Sequence, residues 1–272
     1  MPELPEVETT RRGIAPHVTG QVIVKVVVRN HALRWPVPDT LHRQLTGLTL
    51  HTVTRRAKYL LLHTDNGVLM IHLGMSGSLR IVGADDAPQT HDHIDLCLDN
   101  GACLRLRDPR RFGSLHWITG DPARHPLLHA LGPEPLESEL TAEHLHRLAH
   151  GRTVPIKHFL MNNRVVVGVG NIYASESLFR AGVYPFRPAG RISLSRYNAI
   201  AEAIKAVLTA AIEHGGTTLR DFVSGEGKPG YFRNELAVYD RADAPCITCR
   251  TPIKLAKRGQ RATYYCPRCQ RV

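Results

Sequence analysis

No stretch of about 18 consecutive apolar residues occurs in the 272-residue chain, so no helix is expected to span a membrane. The first residues are acidic and carry no basic-then-apolar leader, which points to a cytoplasmic protein. No repeat recurs at a solenoid period. The sixteen histidines include two pairs four apart, His125 with His129 and His146 with His150. In neither pair is the first histidine followed by the glutamate of a zinc-protease helix, so the histidines read as surface or core residues rather than ligands. Negative charge is in deficit: 24 acids face 35 lysines and arginines, for a net +11 and a pI of about 9.7. That balance suits a polyanionic partner such as nucleic acid.

Cysteine is sparse until the end, where four of the six stand as Cys246-x2-Cys249-x16-Cys266-x2-Cys269. Without a secretion signal this spacing reads as one tetrahedral zinc site. Four thiolates leave the ion no open position, so its role is structural. No acid lies between Cys246 and Cys269, while Arg250, Lys254, Lys257, Arg258, Arg261 and Arg268 do. Some of these balance the thiolates; a hairpin turning near Arg258-Gly259 projects the others outward, toward DNA.

The chain opens Met-Pro-Glu-Leu-Pro-Glu-Val-Glu. Loss of Met1 would leave Pro2 as a secondary amine beside Glu3, with Glu6 one helical turn on, a nucleophile with nearby acids. The same residues also suit an ordinary helix start. A helix is expected from Glu3 to about Ala15, with Leu4, Val7 and Ile14 inward and Pro16 as the stop. Val22–Val28 is a β-branched strand. Tyr59–Thr64 and Val68–His72 flank Asp65-Asn66-Gly67, and His91–Leu98 and Ala102–Arg107 flank Asp99-Asn100-Gly101. Both read as hairpins with three-residue loops and a left-handed glycine. In the second, this register pairs Leu96 with Leu104 and Ile94 with Leu106, and on the other face Asp95 with Arg105 and Cys97 with Cys103. Those two cysteines are expected as neighbouring free thiols. The first half is thus largely antiparallel β, a sandwich or a barrel. After an irregular Gly120–Pro135 crossing, helices are expected over Ala142–Ala149, Pro155–Asn162, Asn171–Ala181 and Ser195–Glu213.

Three short stretches carry chemistry. Val167-Gly-Val-Gly-Asn171 opens a helix where backbone N–H groups can meet a phosphate, with Asn171 as cap and Lys157 nearby, or else it is a tight interhelical turn. Asp108-Pro-Arg110-Arg111-Phe112-Gly113 is a loop whose cations and ring suit a duplex, or a solvated turn with a packed ring. His72-Leu-Gly-Met75-Ser-Gly77 presents an unbranched apolar side chain, for which core packing is the alternative.

Taken together and in order, the N-terminal octet, Lys58, Asp108–Gly113, Val167-Gly-Val-Gly-Asn-Ile-Tyr-Ala-Ser-Glu176, Lys228-Pro-Gly-Tyr231 and the four-cysteine segment resemble the bacterial formamidopyrimidine-DNA glycosylases over essentially the whole chain. The resemblance implies an α+β protein: an N-terminal antiparallel β-sandwich carrying a catalytic helix, then a helix–two-turn–helix domain with a four-cysteine zinc finger, and DNA in the cleft between. The implied bounds are 1–134, 135–222, a lesion-recognition loop and linker at 223–244, and the finger at 245–272. It implies a monomer that excises oxidised purines from double-stranded DNA and cleaves the resulting abasic site by β,δ-elimination, with one structural Zn2+.

By position, Pro2 resembles the family's nucleophile, Glu3 its general acid and Lys58 its proton donor or phosphate ligand. Arg261 completes the catalytic set as a phosphate holder. Met75, Arg110 and Phe112 resemble the trio that fills the gap left by an extruded nucleotide. Glu6, His72, Arg111, Lys157, Asn171, Tyr173, Ser224 and Tyr239 are the further implied DNA contacts. One departure stands out: Asp240 follows Tyr239 where the family commonly has glycine, a change that a left-handed Asp tolerates. Two alternatives stay open at this point, an oxidised-pyrimidine enzyme resembling endonuclease VIII and a non-catalytic damage-binding protein. Paired digestion of the two lesion types separates the first, and retention of Met1 would favour the second.

Overall fold

Contacts in the computed structural model, which describes residues 2–217, 235–258 and 260–271, divide them into two units. One holds residues up to 129 and again 214–217; the other holds 130–213 and the residues from 235 on.

In the first unit, helix α1 (Leu4–Val18) precedes β1 (Gln21–Val28), a short α2 (Leu41–Leu45), β2 (Thr49–Arg56), β3 (Tyr59–Thr64), β4 (Val68–His72), β5 (Ser78–Gly83), β6 (Asp92–Leu98), β7 (Ala102–Arg107) and β8 (Ser114–Ile118). The strands form one antiparallel sheet in the order β5-β7-β6-β1-β2-β3-β4-β8. β1 serves both halves. Gln21 and Val22 pair with β2, and Ile23 to Val28 pair with β6. A single apolar cluster takes Leu60, Leu62, Leu69 and Ile71 from one half and Ile94, Leu96, Leu104 and Leu106 from the other. The sandwich is therefore one sheet folded over at β1 rather than two separate sheets.

Helix α1 joins this core through Val7, Ile14 and Val18, and Leu4, Val7 and Ile14 are at most 1% exposed, as their spacing predicts. Pro16 does not stop the helix. It sits in the last turn and forfeits the one bond its N–H would make to the Arg12 carbonyl; burial of Val18 carries the helix on to a Thr19 N–H bond to Ala15 O at 3.0 Å.

The second hairpin has the expected register, with Asp95 opposite Arg105 and their side chains bonded at 2.8 Å, and Gly101 at φ +80°. Cys97 and Cys103, expected as free thiols, are joined as a disulfide: direct opposition in the ladder puts their Cα atoms 4.0 Å apart. In the first hairpin Gly67 is not left-handed. Glycine is needed there for space, because a Cβ would lie 2.4 Å from the Ile118 carbonyl of β8.

The second unit contains α3 (Ala142–Ala149), α4 (Ile156–Leu160), α5 (Asn171–Arg180) and α6 (Leu194–Glu213), then a hairpin of β9 (Lys254–Arg258) and β10 (Arg261–Tyr265). Thr141 Oγ1 accepts the His144 N–H at 3.1 Å and starts α3. Ile200, Ile204, Leu208 and Ala211 form the fully buried stripe of α6. Among the described residues no helix is long and apolar enough to cross a membrane. Ile14→Ala, which opens a cavity where α1 docks, should destabilise the first unit by about 3 kcal/mol, read as a lowered urea midpoint.

Candidate active site and nucleic-acid interface

Each unit carries its own cluster of candidate residues. In the first, Glu3 is the extended residue before α1 (φ −100°, ψ −170°), only 2% exposed, and its N–H donates to Glu6 Oε2 at 2.8 Å. Glu6 is equally buried. Its Oε1 accepts the Thr217 N–H at 2.9 Å and the Thr217 hydroxyl at 2.8 Å. The carboxylate expected to meet DNA thus takes donors from the protein itself. It ties the start of α1 to the last described residue before position 218.

Lys58 occupies the two-residue turn between β2 and β3 and is 8% exposed. The neighbouring Tyr59 pairs across the ladder with His72, ring centroids 4.9 Å apart. Burial, then the positive charges of Lys58 and Arg34, push the His72 imidazole down to about 4. Its Nδ1 accepts the Gly74 N–H at 3.0 Å, so the neutral ring carries its proton on Nε2 as a donor. Arg34 is a cation near this site that motif reading missed, since nothing local distinguishes it from other surface arginines.

Asp108 is fully buried and joins the two loops. Oδ1 accepts the Ser76 hydroxyl at 2.8 Å and Oδ2 accepts the Gly113 N–H at 2.7 Å. Ser76 Oγ in turn accepts the Arg110 N–H at 3.1 Å. Gly74, at φ +66°, lets the loops touch: a Cβ there would lie 2.3 Å from the Phe112 carbonyl carbon. This frame leaves Met75 37% and Phe112 41% exposed, with the Arg110 guanidinium 5.1 Å from the Phe112 ring centre. Met75 is therefore not a core residue. Arg111 is also exposed, in the left-handed region at φ +57°. An Asp opening a loop often caps that loop, a signal that could have singled out Asp108.

In the second unit, Gly170 rather than Asn171 is the cap of α5. Asn171 Nδ2 donates to the Ala262 carbonyl at 3.1 Å and to the Tyr239 hydroxyl at 3.4 Å; its buried Oδ1 has no hydrogen-bond partner among the described residues. Lys157 is 1% exposed, and its Nζ donates to the same Ala262 carbonyl at 2.9 Å and to Thr263 Oγ1 at 3.0 Å. The expected phosphate cation is thus held inside the protein, next to exposed Arg261, whose guanidinium lies 3.7 Å from Met161 Sδ. Tyr173, expected as a DNA contact, is wholly buried because α5 is covered over Ile172–Leu178.

The segment presenting Tyr239 hangs on Glu176, which accepts the N–H groups of Ala237, Val238 and Tyr239 at 2.8–3.0 Å. Burial raises the Glu176 carboxyl above its ordinary value against those three donors. Asp240 lies at φ +61°, the left-handed position anticipated from the glycine it replaces. Met1 and Ser224, with the 224–230 loop, lie outside the described residues.

The sulfurs of Cys246, Cys249, Cys266 and Cys269 all lie within 4.8 Å of one another. Four thiolates around one point at that spacing fit tetrahedral zinc with sulfurs about 2.3 Å from the ion. Gln270 fastens this knuckle to the helical unit: its Oε1 accepts the Cys266 N–H and its Nε2 donates to the Val183 carbonyl, both at 2.9 Å.

Residues 1–115 match the family model described as the formamidopyrimidine-DNA glycosylase N-terminal domain. Residues 131–223 match that family's H2TH domain, and 244–272 match a zinc finger found in FPG and IleRS. The chain is 62% identical to the formamidopyrimidine-DNA glycosylase of Methylococcus capsulatus and 58% identical to that of Marinobacter nauticus, each match covering 100% of both proteins. Among solved structures it resembles the MutM (FPG) protein of Thermus thermophilus at TM-score 0.88 and 39% identity, over 99% of this chain and 98% of that one. It also resembles the Lactococcus lactis Fpg in complex with abasic-site DNA, at TM-score 0.92 and 31% identity, over 99% and 100%.

Both pH and metal should act on these sites. The unfolded chain protonates His72 near its ordinary value of 6.5, while the folded chain resists until about 4. Stability should therefore fall as pH drops through that window, and the fall should be shallower in His72→Gln when urea midpoints are compared from pH 7.5 to 4.5. Stripping zinc with a chelator should release one ion per chain and lower the melting temperature of the second unit, with re-addition restoring it.

Proposed function

The chain belongs to the formamidopyrimidine-DNA glycosylase family, and on that footing we propose that it excises formamidopyrimidine and 8-oxoguanine bases from double-stranded DNA and nicks the abasic product. It acts as a monomer, in the cytoplasm. The ordered start of α1 carries this reading: Glu3 is buried at the mouth of the helix with its backbone fixed on Glu6, directly after Pro2. Once Met1 is removed, the Pro2 amine attacks C1′ of the extruded nucleotide and the damaged base departs. Glu3 supplies the proton that opens the sugar. Because Pro2 is a secondary amine, the adduct is an iminium, cationic without protonation. It draws electrons through β-elimination and then δ-elimination, so one nucleophile serves both steps.

The other residues hold the distorted duplex. Lys58 and the Nε2–H of His72 face a phosphate next to the lesion, and the exposed Arg261 holds another, within the frame that Lys157 and Asn171 build around Ala262. Met75, Arg110 and Phe112 project from their joined loops into the gap left by the extruded nucleotide. Glu6 and Tyr173 act from inside the fold rather than on DNA. A damaged base is cheaper to unstack than an intact one, which contributes to selection.

Incubation with an 8-oxoguanine·cytosine duplex and borohydride should yield a covalent adduct mapping to Pro2, and intact mass should show Met1 absent. Trapping that persists unchanged with Met1 retained would exclude this nucleophile. Glu3→Gln should lower excision at least about a hundredfold while duplex binding survives.

A further inference from the structure

Ala57 adopts φ +53° in the turn between β2 and β3, and it is 2% exposed. Alanine resists the left-handed region that glycine enters freely, so such a residue persists only where its surroundings hold it. Among the described residues, Arg55 holds it. One terminal nitrogen of its guanidinium donates to the Ala57 carbonyl at 2.9 Å, and its Nε donates to Glu8 Oε2 on α1 at 3.2 Å. Both side chains of the pair are only 11% exposed. Arg11 adds a parallel tie, donating to Glu8 Oε1 at 2.8 Å and to the Val53 carbonyl of β2 at 3.3 Å. Burial alone would raise the Glu8 carboxyl; bonds from Arg11 and Arg12, with the charges of Arg11 and Arg55, instead keep it below its ordinary value.

The two ends of this chain of bonds are informative. Glu8 sits on the helix that begins directly after Pro2 and Glu3, and the Ala57 carbonyl belongs to the peptide that leads into Lys58. Any relaxation of Ala57 toward ordinary backbone angles swings the long Lys58 side chain. We propose that Glu8 and Arg55 are positioning residues for the reaction: they fix the left-handed turn at Ala57 and so aim Lys58 from the helix that directly follows Pro2 and Glu3. This rests on the reading above, that Pro2 and Lys58 serve one reaction.

A pair that merely docks α1 on the sheet would affect folding alone. The full-length chain and its Arg55→Lys, Glu8→Gln, Ala57→Gly and Arg55→Lys/Ala57→Gly variants are compared in single-turnover cleavage of an 8-oxoguanine·cytosine duplex. Binding to a duplex carrying a reduced abasic analogue and thermal melting are measured alongside. Arg55→Lys should lose about ten- to a hundredfold in the single-turnover rate constant with binding nearly unchanged. Adding Ala57→Gly, which accepts the left-handed turn unaided, should restore part of that rate. Glu8→Gln, which keeps an acceptor of the same shape, should show the same direction of change and serves if Arg55→Lys does not fold. A wild-type rate in folded Arg55→Lys and Glu8→Gln overturns the proposal, as does failure of Ala57→Gly to restore any rate. A wild-type chain that neither cleaves nor traps overturns the functional reading and this inference together; trapping by wild type beside unaffected variants overturns the inference alone.

Discussion

A carboxylate taken out of water is costly unless donors meet its oxygens, and Asp108 is completely buried. The Ser76 hydroxyl and the Gly113 N–H meet it, and they come from the two loops whose tips carry Met75, Arg110 and Phe112. The cost of burial is what makes the joint specific: moving either loop strands a charged oxygen. Two irregular segments, each with little structure of its own, thereby present their side chains as one rigid edge.

The same device recurs. Glu6 joins the start of α1 to Thr217, Glu8 joins α1 to Arg55 and the Lys58 turn, and Glu176 gathers three consecutive N–H groups ahead of Asp240. Each of these acids anchors a segment that leads to a candidate DNA-facing side chain. In a chain with a large excess of cations, several of the scarce acids are therefore spent inside. This leaves the outer surface more positive than composition alone suggests, which favours association with a polyanion.

How much of this was legible beforehand follows from what local pattern can encode. The β6–β7 register could be read because only one alignment keeps Leu96, Leu104, Ile94 and Leu106 on a common face. The zinc ligands and the inward residues of α1 were legible for similar reasons of period and spacing. Strands β2, β5 and β8, and the short α2, were not picked out, because partners distant in the chain define them more than their own alternation does. Gly67 shows the limit well: a loop glycine suggests backbone freedom, but the cause is a carbonyl on β8, about fifty residues on. The direction of a polar side chain was least legible. Lys157, Glu6 and Tyr173 all stand in motifs that suggest contact with DNA, yet their side chains turn inward, and nothing local in the sequence says which way a lysine faces.

The knuckle of four cysteines is commonly regarded as a portable module, and here it is not one. Gln270 spans from the Cys266 amide to the Val183 carbonyl, and Arg271 continues the contact as a parallel bridge to Val183. A graft of the cysteine segment onto another scaffold would leave those groups unsatisfied. Loss of Gln270 and Arg271 would loosen the metal site and the segment that follows α5 in the same stroke. Gln270 and Arg271 thus tie the finger to the helical unit.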